Sequence, residues 1–201
     1  GAEPPPSQYP TLAAGTLGTV AQYTAAFPTL GDVRLPQGNL QPRRLDLGPR
    51  FTAQGIVDLQ PAVLGDAYGT LVPMVDADGL DLGGIRLPGV AVPLGTYTGW
   101  NLRHRDYGAP NGLGRWAGSF IPFSTTAAER ADLGDPRRSL AERYSNRSEF
   151  LSQTKLAADT LAADGFILTP DIPDMVAKAG RAYDVLVGPR ATGCTFLEGF
   201  G

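Results

Sequence analysis

VPLGTYTGWNLR, running from Val92 to Arg103, decides how this chain is read. Together with GSFIPF (Gly118 to Phe123) and GDPRRSLAERY (Gly134 to Tyr144), it crowds aromatics, glycines and Arg/Asp pairs without the period of an ordinary helix or strand. Such segments are held in place by long-range contacts and often line a pocket. Tyr97 and Trp100 each offer a broad apolar face with one polar handle, which suits an ester or aromatic ligand. With Asn101 they are candidate substrate-binding residues; the competing reading is that they close a core between strand and helices. His104, the single histidine, follows directly and is the only ordinary general base available. Its neighbours Arg103 and Arg105 suit an exposed, charged stretch equally well.

Upstream, residues 69–103 read as the strand region. Thr70 to Val75 is rich in β-formers, Asp76-Ala77-Asp78-Gly79 supplies a turn, and Gly84 to Leu87 and Val90 to Val92 read as two further extended runs. Asp76, Asp78 and Asp81 have the spacing of carboxylates that converge on a cation, but the bidentate Glu and the other ligands of a calcium loop are missing. A hairpin turn explains them more simply, and no metal is expected. Residues 1–10 read as a Pro-rich arm, and residues 11–68 as an irregular wrapping segment with one short helix at Val20 to Ala26.

Downstream, residues 124–187 read as helical. Thr126 and Glu129 have the spacing of a reciprocal N-terminal cap, and Gly134-Asp135-Pro136 ends that helix. Ser148 is the expected cap of a longer helix with Phe150, Leu151, Thr154, Ala157, Ala158, Leu161 and Ala162 on one face and Gly165 as its terminator. A last helix is expected from Ile172 to Leu186. Asp135, Arg137, Arg138, Glu142 and Arg143 read as structural ion pairs at a helix start.

Composition narrows the function classes. The 201 residues are 42% apolar, enough for a core, with no repeat or convincing linker, so the chain reads as a single unit. A net charge of −3, with no Arg/Lys block, argues against nucleic acid and anionic membranes. No apolar run approaches the roughly 18 residues of a membrane helix. The 26 glycines and 18 prolines are many for a self-sufficient domain and natural for one wrapped around a partner. Cys194, the lone cysteine, excludes an internal disulfide and reads as an incidental or small buried thiol.

The three motifs quoted above, with LDLGPRF (Leu45 to Phe51) and LVPMVDADGLDLGGIRLPGVAVPLGTY (Leu71 to Tyr97) in the same order, resemble a known family. It is the C-terminal part of large secreted or envelope bacterial proteins described as alpha/beta hydrolase domain proteins. The resemblance covers most of residues 8–180. It implies an α/β fold, namely the C-terminal portion of an α/β-hydrolase-like fold, loop-rich, with short strands in the first half and helices in the last third. It further implies a serine carboxylic-ester hydrolase acting on a small-molecule ester without a cofactor, in the periplasm or outside the cell.

A serine hydrolase of that type needs G-x-S-x-G, an acid and a histidine in chain order. The chain contains no G-x-S-x-G; Ser119 comes nearest, but Phe120 and Ile121 follow it where a glycine is needed. The expected nucleophile therefore lies on another polypeptide or region, with His104 placed in the right order to serve it. A homo-oligomer mate is the other expected partner. The alternative function is a non-catalytic binding or structural subunit that keeps the hydrolase scaffold.

Overall fold

The computed structural model describes residues 5–37, 42–104, 106, 108–114 and 117–188. Cys194 and the tail around it, Pro4 of the arm, and Arg105 lie outside the described residues. Among those described, six short strands join in three separate antiparallel pairs and seven α-helices gather mainly towards the C-terminus, a mixed α/β architecture.

The first pair is β1 (Leu17–Thr19) with β4 (Leu71–Pro73), Gly18 opposite Val72. A Cβ at Gly18 would lie 2.6 Å from Met74 Sδ, so a larger residue there requires the Met74 side chain to move. Helix α1 (Val20–Ala26) begins where the sequence places a helix, because Thr19 and Gln22 cap each other. The Thr19 N–H donates to Gln22 Oε1 at 2.8 Å, and the Gln22 N–H to Thr19 Oγ1 at 3.2 Å.

Between α1 and β4 the chain makes an excursion, β2 (Arg43–Asp46), α2 (Phe51–Gln54) and β3 (Val63–Ala67), with β2 paired to β3. The irregular segment expected at 11–68 is thus corrected: it contains three strands and two helices. Elements this short, flanked by Gly and Pro, carry too few residues for periodicity to register. Among the described residues, the hydrogen bonds and ion pairs of 42–68 close within the excursion, including Tyr68 N–H to the Pro42 carbonyl at 2.9 Å and the Arg50–Asp58 pair.

The stretch after β4 departs from the three expected strands. Asp76 to Leu80 is a tight turn: Gly79 N–H donates to the Asp76 carbonyl at 2.9 Å, with Gly79 in the left-handed region at φ +76°. Asp81 then bridges back to Val75. Gly84 to Leu87 forms no strand, since Gly84 bends the chain at φ +83°. Val90 to Val92 is no strand either; Pro88 opens a short helix, α3 (Pro88–Ala91). At that position the missing proline N–H costs nothing and its fixed φ already suits a helix.

Strand β5 (Gly95–Thr98) carries the GTYT motif and pairs with β6 (Ser119–Pro122), Tyr97 opposite Phe120. Then come α4 (Ala127–Asp132), α5 (Leu140–Arg143), α6 (Arg147–Ala163) and α7 (Ile172–Val187). Two caps differ from expectation by a residue or two. Glu129 reaches past Thr126 to the N–H and hydroxyl of Thr125, both at 2.7 Å, and Asn146 rather than Ser148 caps α6. The expected inward face of α6 is observed, with Phe150, Thr154 and Ala158 fully buried. Val92, Leu94, Phe123, Leu140, Tyr144, Phe150 and Tyr183 form the larger core, in which Phe150 packs between Tyr144 and Tyr183 at 5.1 Å from each ring. Among the described residues no helix is long and apolar enough to cross a membrane.

Candidate functional site

Strand alternation sorts the motif residues onto two faces. Thr96 and Thr98 point inward and are buried. Tyr97 points outward and packs against Phe120, ring centroids 4.8 Å apart with the planes tilted by 39°; burial pushes its phenol up. Past the strand end, Trp100 turns to the inner side, packs 5.8 Å from Phe27 and donates its indole N–H to the Tyr23 hydroxyl at 2.7 Å. The Trp100 carbonyl accepts from Thr98 Oγ1 at 2.5 Å and from Ser119 Oγ at 3.1 Å. That contact occupies Ser119, the serine nearest to an elbow in sequence, with a structural bond.

Asn101 and His104 belong to a narrow loop. The Asn101 carbonyl accepts from Gly114 N–H at 2.6 Å, Arg103 N–H donates to Gly112 at 3.0 Å, and Leu102 bridges Leu113. Arg34 ties this loop to the α1 side by donating to the Pro110 carbonyl at 3.0 Å. His104 stands near the loop tip, 62% exposed, with Nδ1 3.4 Å from the Asp106 carboxylate. The structure therefore brings Trp100 inward and leaves Tyr97 and His104 at the surface.

What holds the motif in place is a pair of arginines. Arg137 donates to both carboxylate oxygens of Asp135, to Thr96 Oγ1 at 2.8 Å, and to the carbonyls of Ile121 and Pro122 at 3.0 and 3.1 Å. Arg143 pairs with Asp78 and lies 4.1 Å over the Phe123 ring. Asp76 pairs with Arg86 at 3.0 Å. Two of the three carboxylates that read as a possible calcium loop, Asp76 and Asp78, are thus committed to arginines, and among the described residues no group of His, Cys, Asp or Glu is arranged to hold a metal.

On the inner side of the motif lies a cleft of about 240 Å³, whose lining includes Val20, Tyr23, Val72, Asp81, Trp100 and Leu113. Burial pushes the Asp81 carboxyl up; Arg86 pulls against this and Asp76 adds to it. Burial likewise raises the Tyr23 phenol, the Trp100 bond opposes that, and Asp81 reinforces it. A broader depression, lined by Arg34, Leu35 and Asn111, shares Val20, Thr24 and Pro36 with the cleft. Sequence reading missed Tyr23 and weighed Asp81 only as a cation ligand. The available signal was the spacing Val20, Tyr23, Thr24, one face of a short helix.

A family model described as alpha/beta hydrolase domain matches residues 1–177. No curated protein and no solved structure matches the chain. The family match takes in the excursion, the motif strands and the helical region down to the first turns of α7. The chain belongs to the alpha/beta hydrolase domain family.

Proposed function

We propose that this chain is the C-terminal portion or a subunit of a serine carboxylic-ester hydrolase whose nucleophile lies outside it. The observation that carries this is family membership in a chain without G-x-S-x-G. In that reading a serine supplied by the other polypeptide attacks the acyl carbonyl and His104 takes its proton. His104 then returns the proton to the leaving alkoxide, and water hydrolyses the acyl-enzyme. Tyr97, Trp100 and Asn101 are the substrate-binding residues in this reading; the place of Trp100 in the cleft wall supports its part, whereas Tyr97 meets substrate from the outer face.

The excursion is the surface that meets the other polypeptide. Leu45 and Leu64 face each other across β2 and β3, 59% and 60% exposed, with Phe51, Val63 and Tyr68 exposed around them. Apolar side chains gathered on an otherwise self-contained hairpin favour a partner or a second copy, and the proposal has the segment from Thr11 to Gln60 burying more than about 1,000 Å².

A non-catalytic binding or structural subunit is the second reading, favoured by His104 being exposed and not among the residues that line the cleft. Hydrolysis of p-nitrophenyl butyrate separates the two. The isolated chain is expected to be inactive, and co-expression with a polypeptide bearing G-x-S-x-G is expected to restore turnover that His104→Ala removes by at least about a hundredfold. Turnover by the isolated chain sinks the proposal. Restored turnover that is indifferent to His104→Ala rejects the role of His104, and an assembled but inactive complex selects the second reading.

A further inference from the structure

Of the three carboxylates in the turn after β4, Asp81 is the one that no arginine pairs directly, although the charge of Arg86 acts on it. Its neighbours Asp76 and Asp78 are paired with Arg86 and Arg143, whereas Asp81 takes no part in an ion pair among the described residues. It lines the same cleft as Tyr23 and Trp100, and its charge reaches the Tyr23 phenol. Tyr23 accepts the indole N–H of Trp100, which leaves its own hydroxyl hydrogen to donate. The rest of the lining is mostly apolar, Val20, Val72, Leu113 and two prolines, with Thr24 as a neutral polar group whose hydroxyl donates to the Val20 carbonyl; none of it carries a charge.

We propose that this cleft is a binding site for a small organic cation, an ammonium on an apolar or aromatic body, with Asp81 as its counter-ion. Three properties fit that class. A carboxylate beside Trp and Tyr rings attracts an ammonium both directly and through the ring faces. The apolar lining takes the body, and the few polar groups fix its orientation. A cavity of about 150 Å³ holds benzene, so the cleft here has room for a benzene ring and a short amine. The upward push on the Asp81 carboxyl supports the same conclusion, since a partly buried negative charge is relieved by a bound cation. The inference stands on the cleft alone and does not depend on the hydrolase reading.

The test uses the purified chain and two probes of nearly equal shape, benzylammonium and benzyl alcohol, titrated while the indole N–H signals of its two tryptophans are followed by NMR. Trp100→Phe assigns the Trp100 signal. Benzylammonium is expected to shift that signal saturably and to bind about tenfold more tightly than benzyl alcohol. Asp81→Asn is expected to erase the tenfold preference while leaving benzyl alcohol unchanged. An unmoved Trp100 signal, equal affinity for the two probes, or a preference that survives Asp81→Asn overturns the proposal. Comparing the two probes on the unmodified chain keeps it falsifiable even if the variant folds poorly.

Discussion

Arg137 is 3% exposed at its side chain, and its guanidinium is satisfied on every side by Asp135, Thr96 and two carbonyls of the β6 end. A buried pair of this kind adds little net stability over an apolar isostere, but breaking it strands a charge. Asp135→Asn is therefore expected to cost about 3–5 kcal/mol, read as a melting temperature lower by roughly 10 °C. An unchanged melting temperature would show that the carbonyls and Thr96 suffice.

The pair also sets a pH dependence. Burial pushes the Asp135 carboxyl up, and the hydrogen bonds and charge of Arg137 outweigh it, so the net shift is downward. A depressed carboxylate stabilises the fold fully above its unfolded value of 3.8, and that contribution disappears as the pH falls through the lower folded value. Tyr144 acts at the other end: burial pushes its phenol up to about 12 while its hydroxyl donates to the Pro93 carbonyl at 2.8 Å. A raised value means stability intact below the unfolded 10.0 and lost as the pH climbs towards 12. Tyr144→Phe should flatten the stability curve between those two values, which denaturant melts at pH 9 to 12 would read; an unaltered alkaline limb would remove Tyr144 from the account.

At the scale of elements, two contacts carry separable tests. Ala158 is fully buried on α6, so Ala158→Asp places an unpaired charge in the core and is expected to abolish soluble expression. Leu161, on the face predicted from sequence, is only half-buried, and Leu161→Asp is expected to fold with reduced stability. Equal solubility of both variants would show that the helix does not dock as described. The β5–β6 pair depends on close backbone approach, because a Cβ at Gly95 would lie 2.5 Å from the Ile121 carbonyl oxygen. Gly95→Ala should separate the strands and displace Trp100, visible as a red-shifted tryptophan emission; wild-type emission would place the strain elsewhere.

At the scale of the molecule, the excursion carries the proposed contact with another polypeptide. Its strands face each other, its ion pair closes on itself, and its leucines point to solvent. If these side chains meet another polypeptide, native material should have a mass by light scattering above that of one chain. Leu45→Lys combined with Leu64→Lys should reduce the mass to one chain without lowering the melting temperature of the rest. A compact single-chain mass for the unmodified protein, with residues 11–60 resistant to protease, would refute the proposed contact.

The helical third was legible because its signals are local. The helical spacing from Phe150 to Ala162 and the stop at Gly165 each act within one or two turns, and α6 and α7 lie where the sequence places helices. The short helix at Val20 was legible for the same reason. Family membership was also legible, because long motifs survive as text whatever they fold into. Only the tertiary structure decided the pairing of β1 with β4, more than fifty positions apart, and the burial of Arg137 against Thr96. Both depend on partners distant in sequence, and a three-residue strand has no period to betray it. The cleft of Tyr23, Asp81 and Trp100 was hidden likewise: three segments meet there, and each alone reads as a helix face, a turn and a strand end.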